Sequence, residues 1–348
     1  MAKLTPVPIV VESLIQAEPA VLGSSASERD QGERVGGNGL RPSSFDDYPG
    51  RQQAKENLKV YVAAAKSRGK PLDHVILHGP PGLGKTSLAY VIAKELGVPF
   101  AAISGPSIDR PGDLAGILAG LAEGALLFID EIHRLPVPVE EILYSAMEDF
   151  AIDIMIGQGS SARSVRIDIA PFTLVGATTK LSKLSPAFLN RFGIQEKLAF
   201  YDTASLMAIL LRAAALMGVD LCQDAARSLA ERSRGTPRIA NRLLRRSIDF
   251  AEVAGSHDIT TKAVDEALQR LEIDEVGLDR TDRQMIRTMI DCYHGGPVGI
   301  EALAVTLGED RRTLEDVYEP YLIYCGYIIR SPRGRIVTQK GRRHLGTT

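Results

Sequence analysis

Residues 79–86 read Gly-Pro-Pro-Gly-Leu-Gly-Lys-Thr and fit the phosphate-loop pattern G-x-x-x-x-G-K-S/T. Glycines let backbone N–H groups close on an anion with no Cβ in the way, the lysine reaches the outer phosphates, and the hydroxyl holds Mg²⁺. Gly82, Gly84, Lys85, Thr86 and Ser87 are therefore the expected contacts to a nucleoside triphosphate. Further on, the apolar run 125–129 ends in Asp130 and Glu131. Carboxylates delivered at the C-terminal end of a buried strand suit metal-assisted hydrolysis, with Asp130 on the Mg²⁺ and Glu131 as general base for water. His133 is read as packing or signalling to a neighbour, not as a second base.

A second run, 175–179, ends in Thr178 and Thr179, either of which can turn a hydroxyl toward the γ-phosphate or the water. Two arginines allow more than one reading. Arg191, after Leu189 and Asn190, is either a surface cation or a finger that stabilises charge in a neighbouring subunit's site. Arg238, just inside a helix opened by Thr236 as N-cap and Pro237, suits an anion, although a helical arginine needs no such role. Near the C-terminus the charge is lopsided: residues 326–348 hold Arg330, Arg333, Arg335, Lys340, Arg342 and Arg343 and no acid. With Arg311 and Arg312 at the start of a candidate recognition helix, this set suits a nucleic-acid backbone. The scarcity of aromatics there argues against stacking platforms for single strands.

Such groups need a scaffold that gathers strand ends. A helix fits 52–67, the run 75–77 has strand character, and 87–96 has helical composition, so the phosphate loop sits between strand and helix. Strand 99–103, helix 111–121, strand 125–129, helix 138–149 and strand 172–176 follow, the alternation of a parallel sheet covered on both faces. Two β-rich runs, 152–156 and 164–169 around 157–161, interrupt it as an inserted hairpin. Helices then fit 202–217, 223–233, 237–253 and 261–271. The last segment reads as helices 281–293, 300–307 and 311–325 with a hairpin over 327–338, the plan of a winged helix. The expected division is a disordered extension 1–39, an α/β core 40–201, a small helical domain 202–272 and a head 273–348.

Composition sets outer bounds. A chain of 348 residues exceeds one compact core, and its 45% hydrophobic and 24% charged residues are those of a globular protein. Nothing approaches the roughly 20 apolar residues of a membrane span, and the N-terminus lacks a continuous signal-peptide core, so a cytoplasmic location is expected. Cys222, Cys292 and Cys325 are far apart, without a C-x-x-C pair, and read as small buried hydrophobes. The motifs leave three functions open: a ring-forming DNA motor, a nucleotide-switched DNA-binding regulator, and a clamp-loader-type assembly factor.

Residues 40–42, 79–86, 104–106, 110–114, 130–135, 176–179, 191–194 and 235–246 together resemble the RuvB family, bacterial ATPases that drive branch migration of Holliday junctions. The likeness runs from Leu40 to Gly346. It implies an α/β P-loop (AAA+) ATPase core with a helical small (lid) domain and a C-terminal winged-helix domain, using ATP and Mg²⁺. By resemblance, Leu40, Arg41 and Tyr201 line the base and ribose, and Glu148, Asp149 and Phe150 lie close to nucleotide. Thr86 and Asp130 hold the metal, Thr179 and Arg238 sense the nucleotide, and Arg191 acts across the subunit interface. The hairpin tip would dock on a RuvA-like junction-binding protein, and Arg311, Arg330 and Arg335 would contact the DNA backbone. The family works as hexameric rings on duplex arms and passes products to the RuvC resolvase. Ser87 and Lys180 stand where the family usually has Thr and Arg.

Overall fold

A computed structural model describes residues 40–156 and 163–346. The expected extension 1–39 and the hairpin tip at 157–161 lie outside the described residues. In chain order the first part comprises α1 (Gln52–Arg68), β1 (Val75–His78), α2 (Lys85–Leu96), β2 (Phe100–Ser104), α3 (Pro111–Ala119), β3 (Leu126–Asp130) and α4 (Val137–Asp149). The hairpin β4 (Ala151–Ile156) and β5 (Arg163–Asp168) follows, then β6 (Thr173–Thr178), α5 (Pro186–Leu189) and β7 (Ile194–Lys197).

Five of these strands form one sheet in the order β2-β3-β6-β1-β7, with every pairing parallel. Side chains alternate across it, as a period of two requires. Val75, Leu77, Leu126, Phe128, Val175 and Ala177 enter one apolar cluster, while Ile76, Leu127, Ile129 and Leu174 enter the other. Both faces are thus buried, which explains why these strands read as continuous apolar runs. β7 went unread in the sequence because it is a short edge strand, Ile-Gln-Glu-Lys, with one buried residue. His74 fastens the layers: its Nδ1 accepts from the Leu174 N–H at 2.9 Å, so Nε2 carries the proton and donates to the Met147 carbonyl at 3.2 Å. Burial holds its pKa below the usual histidine value, in keeping with a neutral ring.

Four helices follow: α6 (Thr203–Met217), α7 (Gln223–Glu231), α8 (Pro237–Val253) and α9 (Thr261–Arg270), with β8 (Asp220–Leu221) pairing β9 (Asp258–Ile259). Asp202 caps α6 as expected, its carboxylate accepting from the Ser205 N–H at 2.7 Å. Thr236 occupies the N-cap position of α8 but does not cap with its side chain; its hydroxyl donates to the Ser233 carbonyl at 3.2 Å instead. Pro237 at the first position leaves one donor fewer to satisfy.

The C-terminal part holds α10 (Arg280–Tyr293), α11 (Ile300–Leu307), α12 (Arg311–Thr313), a π-helical turn (Leu314–Tyr318), α13 (Glu319–Tyr324), the hairpin β10 (Ile328–Ser331) with β11 (Gly334–Val337), and α14 (Gln339–His344). The single helix expected over 311–325 is therefore interrupted. Pro320 has no N–H to give the Asp316 carbonyl and its ring crowds that turn, so the ladder slips to the π pattern, with the Glu319 N–H bonding the Leu314 carbonyl. The head has its own core around Leu278, Met285, Leu303, Leu322 and Ile328. The cysteines correct another expectation. Cys222 and Cys292 are exposed, one preceding α7 and the other on the outer side of α10, and Cys325 is half-buried. Among the described residues no helix is long and apolar enough to cross a membrane.

Gly176 in β6 packs closely against the turn that follows β3. A Cβ there would lie 2.9 Å from Ile132 Cδ1 and 3.0 Å from Ile76 Cδ1. Gly176→Val is expected to cost about 1–3 kcal/mol through overpacking. A urea titration checks this, with a lower midpoint and an unchanged slope as the expected outcome.

Candidate functional site

The parallel sheet brings the C-terminal ends of β1, β6 and β3 side by side, with His78 registered on Thr178 and Ile129 on Gly176. Residues 79–84 leave β1 and enter α2, whose first intrahelical bond runs from the Leu88 N–H to the Gly84 carbonyl at 2.9 Å. The N–H groups of Lys85, Thr86 and Ser87 precede that bond and form the positive end of a 12-residue helix. Gly79 has φ 148°, and a Cβ on it would sit 2.2 Å from the Leu198 carbonyl oxygen, so the loop passes β7 too closely for any side chain. Lys85 is buried, with Nζ donating to the Gly79 and Pro80 carbonyls at 3.0 and 2.9 Å. Burial drives its pKa down to about 8, against the pull of Asp130. A buried ammonium whose acceptors are neutral carbonyls, beside a row of unbonded N–H groups, fits a polyanion.

Asp130 closes β3, and its Oδ1 accepts from the Glu131 N–H at 3.0 Å. Burial raises its pKa, partly offset by that hydrogen bond and by Lys85. A desolvated carboxylate of this kind suits a hard cation. Glu131 has φ 51° and ψ 39°, a left-handed conformation rare for a residue with a side chain. The turn lifts its carboxylate out of the strand. Its Oε2 lies 3.7 Å from Arg134 Nη1, with two fifths of the side chain exposed. Thr178 is buried at the end of β6, where its Oγ1 meets His133 Nδ1 at 2.9 Å and accepts from the Lys180 N–H at 3.0 Å. Thr179 lies one residue beyond the strand and is half-buried. His133 thus ties the β3 loop to the β6 end, in line with its reading as a packing group.

Above the loop stands a group that sequence reasoning only half found. Tyr201 is buried and donates to Tyr48 Oη at 3.0 Å, Tyr48 donates to the Gly84 carbonyl at 3.4 Å, and Arg51 lies 4.3 Å over the Tyr201 ring. Arg51 also donates to the Ala199 carbonyl at 2.8 Å and has φ 54°. Tyr48 and Arg51 carried no motif; their one signal was proximity to Gly50, and nothing in the linear order placed them on the loop. The carbonyls of Leu40 and Arg41 accept from Arg212 of α6 at 2.9 and 3.3 Å. Arg238 opens α8 and packs on Gly82, its N–H 3.4 Å from the Gly82 carbonyl. The field of Arg238 reaches Lys85 and Asp130, so Lys85, Asp130, Glu131, Arg51 and Arg238 form one electrostatic group.

Arg191 belongs to a second group. It pairs with Glu148 at 3.0 Å, lies 4.5 Å over the Tyr144 ring and donates to the Ala187 carbonyl at 2.7 Å, while its buried Nε has no hydrogen-bond partner. Asp149 pairs with Arg166 at 2.9 Å, and Phe150, with φ 49°, ends α4 against Phe172. The expected nucleotide contacts thus have different partners: Leu40 and Arg41 meet Arg212, Arg238 meets the phosphate loop, Glu148 pairs with Arg191 and Asp149 with Arg166.

The three cations expected on DNA are held differently. Arg311 is exposed and pairs with Glu301 at 2.6 Å; Arg330 is half-exposed and pairs with Glu319 at 2.7 Å and Glu315 at 3.3 Å. Arg335 is turned inward: it is buried and donates twice to Glu319, both at 2.9 Å. Arg335 and its cross-strand partner Arg330 share one face of the hairpin, the face that meets Glu319. Arg333, in the turn between β10 and β11, is exposed.

The relatives of this chain agree with that anatomy. Residues 40–198 match the model of the Holliday junction DNA helicase RuvB P-loop domain, 201–274 the RuvB AAA lid domain, and 275–346 the RuvB C-terminal winged helix domain. The chain is 53% identical over 306 residues to the Holliday junction branch migration complex subunit RuvB of Oleidesulfovibrio alaskensis, covering 88% of this chain and 95% of that protein. The Thermotoga maritima RuvB Holliday junction branch migration motor superposes with a TM-score of 0.81 at 49% identity, over 89% of this chain and 99% of that one. A point variant of the same protein gives 0.82 at 49% identity and the same coverage. With its phosphate loop, lid and winged head matched end to end, the chain belongs to the RuvB family of AAA+ ATPases.

Proposed function

We propose that this protein is an ATP-hydrolysing motor that drives branch migration of Holliday junctions in recombination and repair. The observation that carries the reading is the convergence of buried Lys85, Asp130 and left-handed Glu131 on one sheet edge, in a chain that ends in a winged helix. The working division is an ATPase core over 40–201, a lid over 202–272 and a head over 273–348. The reading includes a hexameric ring on duplex arms, a RuvA-like partner, a functional link to a RuvC-like resolvase and a cytoplasmic setting. A regulator that reads base sequence is disfavoured, because the head matches the winged helix of a family whose relatives are named for branch migration.

ATP with Mg²⁺ supplies the phosphoryl group to be attacked and part of the charge that neutralises it. The other roles fall to this chain. Lys85 and the first N–H groups of α2 bind the phosphates, and Thr86 and Asp130 hold the metal. Glu131, freed from the strand by its backbone turn, takes the proton of the attacking water. Thr179 orients the water or the γ-phosphate. Tyr201, Leu40 and Arg41 line the base side, with Gly82, Gly84 and Ser87 in the loop itself. Arg238 brings α8 onto the loop, so nucleotide and lid move together. Arg191, held by Glu148 and Tyr144 in its own cluster, reaches the site of the next subunit.

The decisive assay is ATP-dependent dissociation of a synthetic four-way junction with and without RuvA, run with Glu131→Gln as control. The wild-type chain should dissociate the junction; the variant should bind ATP normally while turnover drops about 10²–10⁴-fold. ATP hydrolysis without junction dissociation would point to an assembly factor. Mixing Arg191→Ala with Lys85→Ala subunits should regain part of the hydrolysis lost by each alone, since mixed interfaces pair one intact loop with one intact finger. A pH effect follows from Lys85. Burial disfavours its charged form and phosphate favours it, so nucleotide binding at pH 8 should take up about half a proton, and almost none at pH 6, where the free site is already charged. Titration calorimetry in buffers of different ionisation enthalpy measures this, and affinity should fall as pH rises above 8.

A further inference from the structure

The head is attached to the rest of the chain in two unlike ways. Toward the lid, Arg234, which just precedes α8, is buried with Asp282 of α10. It pairs with Asp282 and with Asp279 and donates to the Gly277 carbonyl at 2.7 Å. Nearby, Phe200, from the last residues of the core, meets Tyr324 at an interplanar angle of 50° with centroids 4.6 Å apart. Toward the catalytic sheet, Lys180 Nζ meets Asp316 Oδ2 at 2.8 Å, with side chains 33% and 41% exposed. A buried pair is costly to break, whereas a half-exposed one contributes little and exchanges readily with water. The first contact is built as an anchor and the second as a latch.

Both ends of the latch lie next to functional groups. Lys180 follows Thr179, and its own N–H donates to Thr178 Oγ1, which also meets His133, two residues past Glu131. A shift of the Glu131 loop is therefore passed to Lys180 through two short hydrogen bonds. On the head side, Asp316 lies in the π turn, and its carbonyl is the one that Pro320 cannot serve. Its neighbour Glu315 and the following Glu319 grip Arg330 and Arg335 of the wing. The π turn, through Glu315, and the first residue of α13, Glu319, thus hold the wing's arginines together.

We propose that the Lys180–Asp316 ion pair couples the catalytic end of β6 to the DNA-binding head, so that hydrolysis and DNA engagement are linked through the π turn. Lys180 and Asp316 are positioning residues in this scheme, and it rests on the motor reading given above. Coupling requires that each side sense the other. Duplex DNA bound by the head should therefore change turnover, and loss of the pair should abolish that change while sparing both sites.

The test compares full-length wild type, Asp316→Asn, and the exchange Lys180→Asp with Asp316→Lys, by steady-state ATPase with and without duplex DNA and by duplex affinity. Asp316→Asn should keep basal turnover and duplex affinity within about twofold but lose about fivefold or more of the DNA-dependent stimulation, and the exchange should restore most of it. Undiminished stimulation in Asp316→Asn overturns the coupling alone. A loss that the exchange does not restore overturns it too, as does a parallel loss of DNA affinity, which would make Asp316 a support of the wing. Wild type hydrolysing ATP without any response to DNA would instead remove the motor reading, and the coupling with it.

Discussion

The structure turns on a parallel sheet whose strands all end at one edge. Both faces of that sheet are covered, so the polar groups its strands carry must emerge at the ends, and β1, β6 and β3 deliver Lys85, Thr178 and Asp130 within one field. Lys85 and Asp130 are each destabilised by burial and each offset the other, which keeps charge in a place where water cannot neutralise it. Such a site is primed for an anion and a cation together.

Around this edge, close backbone approach substitutes for side-chain bulk. Gly79 lies against the Leu198 carbonyl, Gly105 against the Glu131 carbonyl, and Gly176 against Ile132, so the phosphate loop, the Glu131 turn and the β6 end are packed with no room for a methyl group. Positive φ at Glu131 and Arg51 belongs to the same pattern: both residues carry charge into the field around Lys85 at the cost of an unfavoured backbone. The lid reaches the loop by Arg238 on Gly82 and the head reaches the β6 end by Asp316 on Lys180. Nucleotide chemistry is thereby in mechanical contact with both other parts of the chain.

Electrostatics in the head separate specificity from stability. Asp282 is fully buried, and burial pushes its pKa up to about 7 although Arg234 opposes the shift. A buried pair of this kind adds little net stability, but it penalises any arrangement in which one partner is left alone. Glu319 serves the wing similarly, buried beneath Arg330 and Arg335, and the two guanidiniums hold its carboxyl below the usual range despite burial.

Much of this was legible in the amino-acid order. Local motifs depend on neighbours in sequence, so the phosphate loop, the strand ending in Asp130 and Glu131, the α/β alternation, the helices of the lid and the winged plan could all be read from spacing and period. β8 and β9, the edge strand β7 and the short α14 could not, because brief elements gain their stability from partners far along the chain. The π turn needed Pro320 to be weighed against an otherwise unbroken helical pattern. The sequence by itself determined which groups are candidates for chemistry and what kind of sheet gathers them. Only the tertiary structure decided that Tyr48 and Arg51 stand on the loop, that Arg335 is spent on Glu319 rather than free at the rim, and that Arg191 is held by Glu148 and Tyr144. Those outcomes depend on distance and burial between segments from 16 to 153 residues apart, and charge type alone is the same for a cation that faces solvent and one that faces an acid.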